Sequence, residues 1–287
     1  VSFYAVVIAQ PAEGNTIVNV GTLYRPDGTP EDEDEERIEE GDRPWRQAFL
    51  IGRPDGTIRP RDNITRAEIA TIFFRLIEDE VREEYWMQSN PFNDVALERW
   101  FNNAISTTVN MGLFQGIADD LFFPEQDITR GELATVLVRF MAFESIGPFA
   151  LVLGDDQFND IADHWARAYI NRAAEEGWVE GSEGLNGRFR PGDAITRMEA
   201  AAMINRMFQR LVESPECLLE GMVDWPDNAN PNLEEAWYFL YIQMATNSYT
   251  YRWRSDSDYY KELLEIIPPR AWHLLERPNS QPGDIFN

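Results

Sequence analysis

Three segments of this chain repeat one pattern, and chains built from such copies must stack or close them on one another to cover the apolar faces. The first is AFLIGRPDGTIRPRDNITRAEIATIFFRL from Ala48, the second GLFQGIADDLFFPEQDITRGELATVLVRF from Gly112, and the third GWVEGSEGLNGRFRPGDAITRMEAAAMINRM from Gly177. Each runs from a glycine (Gly52, Gly116, Gly181) through a turn-rich loop to a proline (Pro60, Pro124, Pro191). Ile-Thr-Arg-x-Glu and an apolar helical run follow. The glycine-to-threonine spacing is 13, 13 and 15 residues.

A second shared block precedes copies two and three: FNDVALERWFNNAISTTVNMG from Phe92 and FNDIADHWARAYINRAAEEG from Phe158. Trp165, Tyr169, Ile170 and Ala173 fall on one helical face, and Asp160 and Asp163 suit its N-terminal turn. One repeat therefore reads as helix, loop, helix. Copy one lacks the first helix, since an acidic run from Glu31 stands in its place. Near the other end of the chain, Trp225-Pro226-Asp227 precedes a segment in which Trp237 and Ile242 again stand five apart. This half-repeat is expected to fold back and supply the missing helix, closing a pseudo-threefold, mainly α bundle.

The remaining segments are read from local pattern. Residues 1–30 carry two alternating apolar stretches joined by Glu13-Gly14-Asn15, which predicts a β-hairpin remnant of an upstream domain. Residues 31–45 read as an acidic linker. Copies one, two and three are placed at 46–90, 91–150 and 151–215, with 222–250 lending the first helix to copy one. Residues 216–287 form the closing half-repeat and a cap, in which YYKELLEIIPPRAWHLLE predicts two short helices split by Pro268-Pro269.

Composition narrows function. The formal charge of −25 argues against nucleic acid and against an anionic membrane, which need a basic footprint. No stretch approaches the roughly 18 apolar residues that read as a transmembrane span, and any signal segment is expected upstream. One cysteine, Cys217, and two histidines, His164 and His273, assemble neither a metal set nor a nucleophile–base pair. Cys217 is expected to be a small buried side chain. No cofactor or metal is implied. Lys261 is the only lysine among 25 basic residues.

Threonine followed three residues later by glutamate, at a helix start, is a capping box: Thr65/Glu68, Thr129/Glu132 and Thr196/Glu199. That account leaves Arg66, Arg130 and Arg197 unexplained, because it puts them in the first turn, where the helix dipole disfavours a cation. Each arginine needs another partner. One candidate is an acid of the neighbouring copy; the other is an anionic ligand in an inter-repeat groove, assisted by backbone donors of the helix start.

The order Phe-x-Asp, Trp, Ile, Gly, Gly, Pro and Ile-Thr-Arg-x-Glu resembles the S-layer homology (SLH) family over about residues 46–250. The resemblance implies an all-helical, three-pronged module at the C-terminal end of a secreted bacterial surface protein, typically in a Gram-positive wall. Such modules hold their protein non-covalently on a peptidoglycan-linked secondary cell-wall polysaccharide, often through a ketal-pyruvylated N-acetylmannosamine. Carried over position by position, the ligand-binding arginine role falls on Arg66, Arg130 and Arg197. Groove-lining roles fall on Asp94, Asp160, Trp100, Trp165, Trp237, Gly52, Gly116 and Gly181. The residues alone offer plainer accounts: core packing for the tryptophans and tight turns for the glycines.

Two other function classes stand beside wall anchoring. In the first, the repeats are lattice or fibre contacts between copies of the chain, with the arginines in interface ion pairs and the hairpin edge seeking a partner. In the second the chain is an enzyme, but no carboxylate pair is set apart by its surroundings, so none is expected.

Overall fold

The computed structural model describes residues 44–118, 120–144, 151, 155–181, 187–228, 237–253 and 260–286. The hairpin expected over residues 1–30 and the acidic linker as far as residue 43 lie outside them. Within the described residues the chain is mainly helical, with one small sheet. The first copy contributes α1 (Arg66–Leu76) and the short α2 (Asp79–Glu84). The second contributes α3 (Asn102–Asn110) and α4 (Arg130–Glu144), the third α5 (Arg167–Glu175) and α6 (Arg197–Met207). Beyond them comes α7 (Phe239–Thr246).

The second helix of each copy starts where the capping box puts it. Thr65 and Thr196 are extended N-caps whose side chains accept the N–H of Glu68 and Glu199, and the glutamates reach back to the cap N–H. Thr129 and Glu132 exchange the same two bonds, at 2.8 and 3.2 Å. These N-termini meet at the pseudo-threefold axis. There Ile64 donates its N–H to Ile195 O, Ile195 to Ile128 O and Ile128 to Ile64 O, at 3.0 to 3.1 Å, with all three side chains buried.

Around this hub, the helix opening each unit packs on the central helix of the unit before it: α3 on α1, α5 on α4, α7 on α6. Each also receives the loop that follows it in the pseudo-symmetric order. Thr108 O, near the end of α3, accepts Leu113 and Phe114 N–H, and Ala173 O in α5 accepts Trp178 and Val179. Ala245 O in α7 accepts Phe49 and Leu50, from the opposite end of the chain. A continuous core runs from Phe49 through Phe73, Phe140 and Ile170 to Ile242. Among the described residues, no helix is long and apolar enough to cross a membrane.

The C-terminal segment departs from the helical expectation. β1 (Trp45–Arg46), β2 (Tyr249–Trp253) and β3 (Lys261–Ile266) form an antiparallel sheet in the order β1-β2-β3, with Tyr251 opposite Leu263 and Trp253 opposite Lys261. The residues KELLEI, good helix formers in isolation, are a strand because Lys261 and Leu263 alternate inward against β2; pairing overrides propensity. Only the second of the two expected helices forms, as α8 (His273–Glu276). It docks on α3, where Asn103 Nδ2 reaches the carbonyls of Leu275 and Arg277. Cys217 is half-buried rather than enclosed, at the margin of the small core formed by Val212, Met244, Tyr249, Tyr251 and Leu263.

Lys261 is buried to 2% exposure, and among the described residues its Nζ has no hydrogen-bond partner. It lies 3.2 Å from the Trp253 ring centroid. Burial, aided by Arg46 and Arg210, pulls its pKa down to about 7. Between that value and about 10.4, the unfolded chain carries a proton that the folded chain has released. Stability therefore rises with pH across this window, and the full penalty persists below it. Lys261→Met is expected to be about 1–4 kcal/mol more stable than the parent at pH 6, with the gap narrowing by pH 10. Urea midpoints at the two pH values check this; a pH-independent gap would contradict it.

Candidate functional site

The arginines placed against the helix dipole form a cyclic set. Arg66 pairs with Glu132 at 2.7 Å, Arg130 with Glu199 at 3.0 Å and Arg197 with Glu68 at 2.9 Å, so each copy's arginine meets the next copy's capping glutamate. Each glutamate serves twice: one oxygen accepts the cap N–H and the other the guanidinium. Every Nε and Nη2 also donates to a neighbouring carbonyl. Arg66 reaches Phe122 O and Gln115 O, Arg130 reaches Phe189 O and Glu180 O, and Arg197 reaches Ile58 O and Ile51 O. All three are at most 4% exposed. Burial lowers each arginine's pKa, opposed chiefly by the paired glutamate.

The neighbouring-acid account therefore describes these arginines. The helix starts are likewise taken: the N–H groups of Arg66 and Ala67 donate to Gln126 O and Pro124 O. Arg130 and Gly131 donate to Asp193 O and Pro191 O, and Arg197 and Met198 to Asp62 O and Pro60 O. None of these six donors is spare for a ligand.

Asp94 and Asp160 are loop staples. Asp94 accepts the N–H groups of Phe122 and Phe123 at 2.9 and 2.7 Å, and Asp160 those of Phe189 and Arg190, both at 2.8 Å. Asp227 does the same for Ile58 and Arg59, at 2.9 and 2.7 Å. The second residue of each pair, Arg59, Phe123 or Arg190, has φ between 50° and 62°, a costly conformation for a residue with a side chain. The paired carboxylate bonds offset that strain. Asp160 also borders a shallow depression of about 270 Å³ with Arg188 and Asp193.

The glycines serve close approach. Gly52, Gly116 and Gly181 avoid the left-handed region, but a Cβ would lie 2.2 Å from the Trp225 ring, 2.6 Å from the Phe92 ring and 3.2 Å from the Phe158 ring, respectively. The tight-turn account of them gives way to an aromatic ring lying flush on bare backbone.

The tryptophans are the surprise of the site. Core packing does not describe them: Trp100, Trp165 and Trp237 are 44%, 61% and 49% exposed, at equivalent places before α3, α5 and α7. Trp165 forms one wall of a groove of about 490 Å³ between copies two and three. Its other walls include Arg66, Gln115, Ile117, Glu132, Arg139 and His164. His164 Nδ1 accepts the Ala166 N–H, leaving Nε2 as the ring's donor when neutral, and burial lowers the pKa of the ring.

Arg139 lies outside the repeated Ile-Thr-Arg-x-Glu motif. The available signal was register: it follows Arg130 by the interval that separates Arg75 from Arg66 and Arg206 from Arg197. Among the described residues, no group of three or more His, Cys, Asp or Glu side chains could hold a metal ion.

Comparison with known proteins bears on these segments. Residues 49–70, 91–134 and 157–201 match the S-layer homology domain family. The chain is 33% identical over 226 residues to cell surface glycoprotein 1 of Acetivibrio thermocellus, an alignment covering 76% of this chain and 9% of that protein. It is 37% identical over 165 residues to the cellulosome-anchoring protein of the same organism, covering 56% of this chain and 36% of that one. With the surface-layer 125 kDa protein of Lysinibacillus sphaericus the identity is 31% over 174 residues, covering 58% of this chain and 14% of that one. The chain thus spans about a tenth to a third of the length of these relatives.

Proposed function

Because the chain belongs to the S-layer homology domain family, we propose that it anchors a larger protein outside the cell by holding a secondary cell-wall polysaccharide in its inter-repeat grooves. The observation that carries this reading is the half-exposed tryptophan recurring in every unit, one of them walling a groove of saccharide dimensions. Folding supplies no reason to keep three large indoles at the surface, whereas a sugar's apolar face stacks well on one. Copies at 46–90, 91–150 and 151–215 would carry the grooves, and 216–287 would complete and cap them. The names of two relatives, a cell surface glycoprotein and a cellulosome-anchoring protein, agree with an anchoring role.

The chain is expected to sediment with wall sacculi of the organism that makes it, and to stay in solution once their secondary polymer has been extracted. Because the chain is strongly acidic, affinity for an anionic polymer is expected to rise with moderate salt, which screens long-range repulsion. Binding that survives polymer extraction, or that weakens steeply with salt, would count against this reading. Oligomers that form without sacculi would favour the lattice alternative.

A further inference from the structure

The three units are not equivalent at one position, and the difference decides which groove can take an anion. Nine residues after the buried arginine, each central helix presents a second one: Arg75 in α1, Arg139 in α4 and Arg206 in α6. These flank equivalent loop residues, Ile51, Gln115 and Glu180, whose carbonyls accept the buried arginines Arg197, Arg66 and Arg130 in turn.

In the unit built around α6, Glu180 pairs with Arg206 at 2.8 Å, and Tyr241 Oη accepts the same arginine's Nε at 3.0 Å. In the unit built around α1 the loop residue is Ile51 and offers no charge, but Glu276 from α8 reaches Arg75 at 2.6 Å. That pair is nearly enclosed, with side chains 9% and 13% exposed. In the unit built around α4 the loop residue is Gln115, and among the described residues no acid takes its place. Arg139 donates long bonds to Leu113 O at 3.3 Å and Gln115 Oε1 at 3.4 Å, and stacks over Tyr169 at 5.7 Å. Among the described residues it has no carboxylate partner, and it lines the 490 Å³ groove together with the exposed Trp165.

We infer that, of the three equivalent sites at Arg75, Arg139 and Arg206, the groove lined by Arg139, His164 and Trp165 is the one that accepts an anion, and that Glu180 and Glu276 occupy the other two from within. The anionic wall saccharide of the proposed function would set its apolar face on Trp165 and its charge on Arg139, with a hydroxyl or ring oxygen accepting from His164. An anion entering either of the other units must displace an internal carboxylate already bonded to the guanidinium. Entry beside Arg139 displaces only two long bonds to neutral acceptors, so the open groove has the advantage. The inference rests on the wall-polysaccharide reading and adds to it a single site and a named anion partner.

Calorimetry with polymer fragments one repeat unit long, released from the sacculi by mild acid, tests it alongside sedimentation. The expected stoichiometry is one fragment per chain. Arg139→Gln and Gln115→Glu are each expected to weaken binding at least tenfold without moving the thermal midpoint, the second by supplying the acid that Glu180 supplies elsewhere. Arg206→Gln, at a surface pair whose Glu180 is 68% exposed, is expected to leave both affinity and stoichiometry unchanged. Two or three fragments per chain, or full binding by both Arg139→Gln and Gln115→Glu, would overturn the single-site inference and leave wall anchoring standing. A parent chain that ignores sacculi would remove the reading, and the inference with it.

Discussion

Arg66→Ala is expected to cost about 3–5 kcal/mol of stability, more than the same change at either of its counterparts. The substitution strips the guanidinium from Glu132, whose side chain is 16% exposed and, among the described residues, has no second arginine to turn to. It also leaves the carbonyls of Phe122 and Gln115 without their donors. The other two sites have a reserve. Glu199 keeps Arg190 Nη2 at 3.4 Å when Arg130 is removed, and Glu68 keeps Arg53 Nη2 at 2.9 Å when Arg197 is removed. Those variants should lose less, by about 1–2 kcal/mol, the worth of a partly exposed charge-assisted bond. Arg66→Lys should recover little, since one ammonium cannot span a carboxylate and two carbonyls held in a planar fork. Urea midpoints for the four variants give the ranking; equal losses at all three arginines would show that the reserve cations contribute nothing.

Ending the chain at Gly221 is expected to abolish the cooperative melt rather than trim it. The lost segment contains no copy of the Ile-Thr-Arg-x-Glu motif, yet the first loop leans on it throughout. Trp225 lies against Gly52, Asp227 holds the N–H groups of Ile58 and Arg59, and Ala245 O holds Phe49 and Leu50. The central helix α6 would lose α7, and Arg75 would lose Glu276. Phe49, Leu50 and Ile58, all buried in the intact chain, would face water or a second molecule. Calorimetry and light scattering should show a lost or broadened transition together with aggregates. A truncated monomer that kept the parent's sharp melt would refute this dependence.

Both expectations turn on features that the sequence displays unequally. The repeats, the capping boxes and the Trp-to-Ile blocks are local signals, and local signals survive in a linear text. The partner of each arginine was harder to see, because the cap already accounts for its glutamate. A carboxylate has two oxygens, and only the arrangement about the axis shows that the second oxygen faces the preceding copy. The exposure of Trp165 was hidden for a similar reason: its spacing to Ile170 fits a helical face, but the indole precedes Arg167, the first residue of α5, and lies outside that face. The strand at Lys261–Ile266 was misread because its partner, Tyr249–Trp253, decides its conformation more than its own residues do. The inequality among Arg75, Arg139 and Arg206 needed both register and the distant α8, which the repeat pattern does not contain.

The isoleucine hydrogen bonds at the axis all run in one direction, from copy one to three, three to two and two to one. A loop of donors and acceptors closed in this way has no free end at which another unit could be added. A fourth copy would demand a quarter-turn between neighbours instead of a third, carrying the axial carbonyls out of reach of their N–H partners. Slippage in the repeated gene, which lets open solenoids lengthen and shorten, would here yield a protein that cannot close. Copy number is therefore frozen at three, and change is confined to sites away from the axis. The two extra residues between Gly181 and Thr196, and the glutamine at 115 where the next copy has an acid, are differences of that permitted kind.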